Sequence, residues 1–480
     1  MNVVGNVYAP PSSDLPNVTN YCFVVKKNGF GKQLAVHQGQ YVGAFSEEGF
    51  VIGIIHEIVS QNKYYADPST LKELASRNIN IEQFIPAKNW DLILAFVSVQ
   101  SFIPNIFSEK DFPELYKRNW FHTIKTPTYP VKPGTSVYLI EKEIISYLLC
   151  IDGLDLHIGK LENYDGDVML DINRLFSKHL AILAQSGAGK SYTVSVLIEE
   201  LLKRESETPA LLLIDTHSEY RFFSDNDPNS PNSAFSKKTK YINANFMHIG
   251  VPHLTEYDFM KYKPNITNPQ MRKLRAAIWE CKKKFKNKNG YPEYGLQELI
   301  TETLSDEENN KVSENLAAWL EDLARLQMFS TTDSPILGNI LRTGHLTLLD
   351  LGSIVSERKK QIILSYLLTR LFNMRRNDVI PPFIVFLEEA HNYCPENASK
   401  DTAIARSIIE TIAREGRKFF AQLVLISQRP VKLSTSILAQ CNTQLIMRVT
   451  NPYDINHIKA SSEHLTEIAN RINILPTGHA

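Results

Sequence analysis

The stretch 178-KHLAILAQSGAGKSYTVSVLIEEL-201 decides the fold of this chain. It contains a run of five apolar residues, 180–184, which is typical of a strand buried on both faces. The segment QSGAGKS follows this strand, and an apolar-rich helical stretch follows the segment. This strand–loop–helix order predicts a phosphate-binding loop, because the loop amides and the positive end of the helix then face one anion.

The predicted loop has the residue types that hold a nucleoside triphosphate. Gly187 and Gly189 allow the backbone to approach phosphates without a Cβ clash. Lys190 is expected to reach the β- and γ-phosphates, and Ser191 is expected to ligate Mg²⁺. The residues expected to bind ATP are Gln185, Ser186, Gly187, Ala188, Gly189, Lys190, Ser191 and Tyr192.

One position departs from the usual phosphate-loop signature, since Ala184 stands where the motif has its first glycine. This position ends the strand, where the backbone is expected to be extended and alanine is tolerated. We therefore expect the loop to work without that glycine. The alternative is a chance match, which has a probability on the order of a few per cent in a chain of average composition and this length.

A second motif, 381-PPFIVFLEEAHNYCP-395, is an apolar strand that ends in two acids. Glu388 is expected to hold the water shell of Mg²⁺, a position where aspartate is more usual, and Glu389 is expected to polarise the attacking water. The alternative is a solvated pair of glutamates at the start of a helix, where acids are favoured in any case.

Two further strands are followed by polar residues. Gln428 comes after 422-QLVLIS-427, and we expect it to contact the γ-phosphate or its water. Asp215, His217 and Glu219 leave the carboxyl end of 210-ALLLID-215, the edge at which open α/β sheets bind ligands. The alternative in both places is an ordinary turn after a strand.

The segment 401-DTAIARSIIETIAREGRKF-419 predicts an amphipathic helix. Its isoleucines form one stripe, and its charged residues form the opposite, outward face. The stripe contains Ile404, Ile408 and Ile412, and the charged face contains Arg406, Glu410, Arg414 and Arg417. Such an arginine row either supplies an arginine finger to a neighbouring subunit or is a solvated face with i,i+4 ion pairs.

The rest of the chain indicates its domain organisation. Residues 1–150 contain short runs rich in Val, Ile, Tyr and Phe, which predict a small β-barrel or β-sandwich. In residues 151–480, buried strands alternate with helices, which predicts a parallel sheet covered on both faces. Residues 254–342 are charged and poor in strands, so we expect a helical insertion there, and 224–240 is expected to be a surface loop. The further strands predicted are 346–351, 383–387 and 444–449.

Composition limits the classes of function. The 480 residues carry 52 basic and 52 acidic side chains, so no global field draws the chain to DNA or to a membrane. The five cysteines are scattered and form no CxxC, which argues against a disulfide framework or a structural zinc. The sequence shows no secretory signal and no apolar run near the ~18 residues of a membrane span. We therefore expect a soluble, cytoplasmic protein without a membrane contact.

The ordered motifs LAQSGAGKSY, LLLIDTHSEY, FLEEAHNYCP, IAREGRKF, LVLISQRP, LAQCNTQLIMRVTNPYD and LPTGHA together resemble the HerA family of hexameric DNA-pumping ATPases. The resemblance covers about residues 155–480. It implies a RecA-like P-loop NTPase core, an N-terminal barrel, a homo-hexamer that binds ATP and Mg²⁺ between neighbours, and double-stranded DNA in a central channel. It also implies catalytic roles for Lys190, Ser191, Glu389 and Gln428, and an arginine finger at Arg414 or Arg417, with Arg414 favoured.

The resemblance further implies a partner that docks on the barrel: a NurA-like nuclease, a sirtuin-like NADase or another antiphage-defence effector. Two functions stay open on this evidence. One is a DNA translocase or helicase motor, and the other is an ATP-dependent ring scaffold that controls its partner. A monomeric small-molecule kinase is disfavoured, because it leaves the arginine row without a role. Candidate pore lysines are Lys237, Lys238, Lys240, Lys282, Lys283, Lys284 and Lys400.

Overall fold

The structure, a computed structural model, forms two compact units, Met1–Leu170 and Asp171–Ala480. The domain boundary expected near residue 150 stays a prediction. The structure describes residues 1–10, 15–26, 36–62, 72–73, 76, 91–108, 111, 127–148, 156–164, 166–205, 208–227, 233–305, 310–399, 401–461 and 471–480. Cys150 and the candidate pore residue Lys400 lie outside these ranges.

The first unit contains a closed antiparallel barrel. Its six strands pair in the order β1-β2-β5-β4-β3-β6, and β6 pairs with β1 to close it. Alternate residues of β2, namely Tyr21, Phe23 and Val25, pack into the barrel core, as the two-residue period of a strand requires. The elements are β1 (Asn2–Tyr8), β2 (Asn20–Val25), β3 (Tyr41–Phe45), β4 (Gly49–Asn62), β5 (Asp91–Pro104), β6 (Ser136–Leu139), α1 (Lys142–Leu148) and the hairpin β7 (Leu156–Lys160) and β8 (Asp167–Leu170).

The second unit is built on a seven-stranded sheet in the order β11-β14-β10-β15-β16-β9-β17, and all its strands are parallel. The six strands predicted for this unit are all present, with small shifts at their ends. The seven strands of the sheet are β9 (His179–Leu183), β10 (Ala210–Asp215), β11 (Thr239–Asn243), β14 (Leu346–Asp350), β15 (Phe383–Leu387), β16 (Ala421–Ser427) and β17 (Cys441–Ile446), and a separate small pair is β12 (Ile249–Gly250) and β13 (Phe329–Ser330).

Helices surround the sheet, and four of them (α5 to α8) lie within residues 254–342, the segment predicted to be helical. The α-helices are α2 (Ile172–Leu175), α3 (Lys190–Lys203), α4 (Ser233–Ser236), α5 (Glu256–Tyr262), α6 (Asn268–Lys284), α7 (Leu296–Leu304), α8 (Asn310–Ala324), α9 (Glu357–Arg376), α10 (Ala390–Tyr393), α11 (Arg406–Glu415), α12 (Thr435–Leu438) and α13 (Pro452–Ser461). Short 3₁₀ turns cover Arg221–Ser224, Ala244–Phe246, Val251–His253, Leu337–Asn339, Gly416–Phe419 and Pro430–Lys432.

The sheet is buried on both faces. In β10, Leu212 and Ile214 belong to the large core cluster that also contains the apolar faces of α9 and α11. Leu211 and Leu213 are just as buried, and strand alternation places them on the opposite face. Parallel strands with this pattern read as continuous apolar runs, which is why the sequence revealed them.

Two predicted elements differ from the structure. Strand β11 begins within the last two residues of the segment expected to be a surface loop. It lies at the edge of the sheet, and only Ile242 among its five residues is buried, so the sequence shows no apolar run there. The helix expected over residues 401–419 begins only at Arg406, since residues 401–405 form turns that the side chain of Gln361 caps at the Ala405 amide. Ile404, Ile408 and Ile412 are buried, as the stripe predicted.

Two observations concern composition. The four cysteines in the described ranges are all buried. No helix in the part of the chain that the structure describes combines the length and apolar character that a membrane span needs.

Candidate functional site

The phosphate loop lies between β9 and α3, at the carboxyl edge of the sheet. Gly187 and Gly189 have φ values of 75° and 107°, in the region that glycine favours. A Cβ at Gly189 would also lie only 3.0 Å from the Met447 side chain, so this position requires glycine for space as well. Ala184 is fully buried and not among the residues with positive φ, so the missing glycine costs the loop no special conformation.

A cavity of about 550 Å³ opens beside this loop. All but one of the residues predicted to bind ATP line it: Gln185, Ser186, Gly187, Gly189, Lys190, Ser191 and Tyr192. The exception is Ala188, whose side chain packs with Ala184 and Met447 beneath the loop. The cavity is also lined by His217, Glu219, Glu389, Gln428 and Thr477, which come from other strand ends and from the end of the chain.

The two acids after β15 face the lysine of the loop. Nζ of Lys190 is 2.7 Å from Oε1 of Glu389 and 3.8 Å from Oε1 of Glu388. All three side chains are almost completely buried. Glu389 has a φ of 47°, uncommon for a residue other than glycine, and this turn out of the strand aims its carboxylate at the loop. The structure therefore brings Lys190 next to two acids that lie some 200 positions later in the sequence.

The charge around this pair favours a bound cation. Burial raises the pKa of Glu388 to about 8. The positive charge of Lys190 lowers this pKa, whereas the negative charges of the nearby Asp215 and Glu219 raise it. Burial also raises the pKa of Asp215, against three backbone hydrogen bonds that it accepts. Carboxyl groups thus exceed cationic groups here, and a divalent cation would restore the balance.

The residues present fit a magnesium ion with its water shell. Oε1 of Glu388 and Oε2 of Glu389 are buried and accept no hydrogen bond, which is costly for carboxylates unless a ligand or water occupies the space. Within the described ranges, no three His, Cys, Asp or Glu side chains form a cage for a metal. Mg²⁺ usually takes only one or two protein carboxylates and fills its shell with phosphate and water, which matches this arrangement.

The loop after β10 meets the phosphate loop. The buried carboxylate of Asp215 accepts hydrogen bonds from the amides of His217, Glu219 and Tyr220, at 3.0 to 3.2 Å. These bonds fold the chain back at the sheet edge, so that Oε2 of Glu219 accepts the hydroxyl hydrogen of Ser191 at 2.5 Å. The sequence predicted that Glu219 lies at this edge but did not predict its hydrogen bond with Ser191.

The end of β16 supplies the next part of the site. Gln428 lines the cavity, and the hydroxyl of Ser427 just before it lies 3.1 Å from Nδ1 of His391. The same Nδ1 is 3.2 Å from Oε2 of Glu389, a close approach that lacks hydrogen-bond geometry. Burial lowers the pKa of His391, although the charge of Glu389 opposes this. His391 therefore connects the acid strand to the neighbouring strand, a role that sequence reasoning did not assign.

Residues near the end of the sequence lie on the outer side of the phosphate loop. The amide of Gly478 donates to the carbonyl of Ala188 at 2.9 Å, and the Thr477 hydroxyl lies 3.5 Å from the carbonyl of Gly187. At the other end of the loop, Oε1 of Gln185 accepts from the amide and hydroxyl of Thr450. Because Gly478 and Thr477 satisfy two carbonyls of the loop, they favour the loop conformation seen in the structure.

Several known proteins are similar to this chain in sequence. A family model described as the central domain of helicase HerA matches residues 156–371. Probable helicase MJECL08 of Methanocaldococcus jannaschii is 25% identical over 517 residues, covering 100% of this chain and 92% of its own. The DNA double-strand break repair helicase HerA of Sulfolobus acidocaldarius is 28% identical over 376 residues, covering 74% of this chain and 71% of its own.

Residues 156–371 thus match the central domain of the HerA family, and these relatives extend the similarity over most of the chain. Among solved structures, VirB4 of Thermoanaerobacter pseudethanolicus has a TM-score of 0.51 at 17% identity, covering 68% of this chain and 92% of VirB4. This similarity shows that the two proteins share a fold over about two thirds of this chain.

The arginine row of this chain is not uniformly outward. Arg406 donates to the carbonyls of Pro395 and Glu396 and to the carboxylate of Glu410, so its guanidinium is held inside the subunit. Arg414 is 68% exposed, with one long contact of 3.5 Å to Glu410. Arg417 is also exposed, on the 3₁₀ turn after α11, and lines a cleft beside Pro382, at the amino edge of the sheet. Neither of these two arginines lines the cavity of its own chain.

The candidate pore lysines are mostly engaged. Nζ of Lys238 donates to the carbonyl of Leu202, and Nζ of Lys240 donates to the carbonyl of Asn339. Lys284 pairs with Glu302, and Lys283 lies over the ring of Trp279. Their role in a HerA channel stays a prediction.

Proposed function

We propose that this HerA-family chain is an ATP-hydrolysing motor that moves double-stranded DNA through a ring of six subunits. One observation carries the proposal: Lys190 meets Glu388 and Glu389 at the edge of a cavity large enough for a nucleotide. Relatives that are named DNA double-strand break repair helicases support DNA as the substrate.

Each residue of the site has its own role in ATP hydrolysis. Magnesium-bound ATP, once present, supplies the phosphoanhydride bond and the divalent charge. The loop amides and Lys190 bind phosphate oxygens, so the ammonium group moves away from Glu389. Oε1 of Glu389 is then free to accept a proton from water, and Gln428 orients that water from the neighbouring strand. Ser191 and Glu388 would hold a magnesium ion and its water shell, and the ion would supply positive charge to the phosphates.

The site of a single chain lacks positive charge for the transition state. Among the described residues that line the cavity, Lys190 carries the only permanent positive charge. A triphosphate carries several negative charges, and an arginine from a neighbouring subunit supplies the missing donor. Arg414, exposed and weakly paired, is the residue that we propose for this contact, with Arg417 as the alternative.

The N-terminal barrel is the surface on which we propose that a partner docks. The partner expected from the family resemblance is a nuclease of the NurA type, a sirtuin-like NADase or another defence effector. The first unit forms the closed barrel that this resemblance implies.

An ATPase assay with and without duplex DNA tests the motor against the scaffold. Strong stimulation by DNA, together with a particle mass of six subunits, supports the motor. Slow turnover that ignores DNA, combined with loss of partner activity when the ring is absent, supports the scaffold instead. DNA affinity should also fall with salt at a logarithmic slope of about −0.9 per phosphate contacted, and a flat salt response would contradict the DNA channel.

A further inference from the structure

Ser191 has a hydrogen-bond partner other than the acid pair at the end of β15. Its hydroxyl donates to Oε2 of Glu219 at 2.5 Å, across the loop that follows β10. The acid expected to accompany the metal, Glu388, is otherwise engaged: its Oε2 accepts the amide of Thr216 at 3.1 Å. Glu219, which no sequence motif marked as a ligand, is therefore the carboxylate that contacts this serine.

The hydroxyl of a metal-binding serine has one hydrogen and two lone pairs. When the hydroxyl oxygen ligates a cation, its hydrogen must point elsewhere, and a fixed acceptor on the far side turns a lone pair toward the metal. Outer-shell acceptors of this kind orient ligands in many metal sites, and their loss typically costs ~10–100-fold in metal affinity.

Two buried carboxylates fix Glu219 in this position. Asp215 accepts the Glu219 amide at 3.1 Å, and the side chain of Ser218 donates to Asp350 at 2.7 Å. Oε1 of Glu388 and Oε2 of Glu389 are buried and accept no hydrogen bond, which is an independent sign that this cavity takes a cation.

We propose that Glu219 is a positioning residue of the magnesium site, which accepts the hydrogen of Ser191 and so directs the Ser191 oxygen at the ion. The inference rests on the proposed function, since it requires that ATP binds with Mg²⁺ at this loop. It adds the β10 loop to the phosphate loop and the acid strand as a third element of the metal site.

The experiment measures binding of a fluorescent non-hydrolysable ATP analogue to the full chain. Binding is measured first in the presence of a metal chelator and then at increasing concentrations of Mg²⁺. Glu219→Ala should raise the Mg²⁺ concentration for half-maximal tight binding about tenfold and change the metal-free affinity less than about twofold. Glu219→Gln keeps an acceptor oxygen and should lose less than Glu219→Ala. Combining Glu219→Ala with Ser191→Ala should add little to the loss from Ser191→Ala alone, since the two residues act as one unit.

The control variant is Glu205→Gln, an exposed glutamate just beyond the other end of α3, which should leave both affinities unchanged. Wild-type magnesium dependence in Glu219→Ala overturns the role of Glu219 and leaves the ATP site intact. Equal losses in the Ala and Gln variants overturn hydrogen-bond positioning and leave only a charge effect. If wild-type protein binds the analogue equally with and without Mg²⁺, this result contradicts both the proposed metal site and the role of Glu219.

Discussion

The ammonium nitrogen of Lys190 lies 2.7 Å from a carboxylate oxygen of Glu389, and both side chains are buried. The group that should bind phosphate and the group that should activate water therefore neutralise each other in the chain without nucleotide. Breaking one partner of a buried pair usually costs more than the pair contributes, so the pair constrains how the site changes when a phosphate arrives.

Glu389→Gln should separate binding from hydrolysis. The amide keeps the shape of the side chain but releases Lys190 from its ion pair, so the nucleotide should bind as tightly as in wild type or more tightly. Turnover should fall about 10²–10⁴-fold, because the amide cannot accept a proton from water. Equilibrium binding of ATP and a phosphate-release assay measure the two effects. Wild-type turnover in Glu389→Gln, with Glu205→Gln as the inert control, would remove Glu389 from catalysis.

Arg414→Ala should leave ATP binding intact and reduce hydrolysis about 10³–10⁵-fold, if Arg414 acts on the site of a neighbouring subunit. Arg325→Ala is the matched control, because Arg325 is likewise exposed and pairs with Asp322 in the last turn of the helix that precedes it. If Arg417→Ala shows the loss instead, Arg417 is the finger. Normal turnover in both variants contradicts a finger from this helix.

Mixing inactive subunits tests whether the arginine acts between subunits. Rings assembled from Lys190→Ala and Arg414→Ala chains contain some sites with an intact lysine beside a neighbour with an intact arginine. Such mixtures should recover part of the wild-type turnover that neither variant shows alone, and no recovery at any ratio would argue against an action between subunits.

Gly478→Ala should weaken ATP binding several-fold. Gly478 has a φ of 83° and no atom within 4 Å of an added Cβ, so alanine would strain the backbone by about 1–2 kcal/mol without a clash. That strain favours release of the Gly478 amide from the Ala188 carbonyl and loosens the phosphate loop. Gly290→Ala is the control, at a φ of 81° with equally open surroundings and outside the residues that line the cavity. Equal ATP affinity in both variants would show that the contact does not organise the loop.

Stability without nucleotide should depend on pH through Glu388. Burial raises the pKa of this carboxyl to about 8, above its value of about 4.3 in an unfolded chain. The folded protein then holds a proton that the unfolded chain releases, so the contribution of Glu388 to stability is present at low pH and is lost as pH rises toward 8. In thermal melts, Glu388→Gln should gain stability relative to wild type between pH 5 and pH 8.5. A difference in melting temperature that does not change with pH would contradict the raised pKa.

The sequence predicted those parts of the molecule that depend on short-range pattern. The strands that end at Leu183, Asp215, Leu387 and Ser427 are apolar runs, and their shared carboxyl edge follows from a parallel sheet. The convergence of Lys190 with Glu389 could be expected for the same reason.

Contacts between residues far apart in the sequence could not be predicted from local sequence patterns. The Gln361 side chain that delays the start of α11 comes from another helix, and the capture of Arg406 by the carbonyls of Pro395 and Glu396 gives no signal in the arginine spacing. The Gly478 bond to the phosphate loop joins residues almost 300 positions apart. The hydrogen bond between Ser191 and Glu219 is another such contact. From the sequence, Glu219 was only one of several polar residues that follow a strand.

The central claim is that the loop around Lys190 binds and hydrolyses ATP, and ATP turnover by Lys190→Ala tests it most directly. Lys203→Ala is the matched control, because Lys203 lies at the other end of the same helix and is 57% exposed. We predict that Lys190→Ala loses hydrolysis at least ~100-fold, while Lys203→Ala hydrolyses ATP like wild type. Wild-type turnover in folded Lys190→Ala protein would contradict the account.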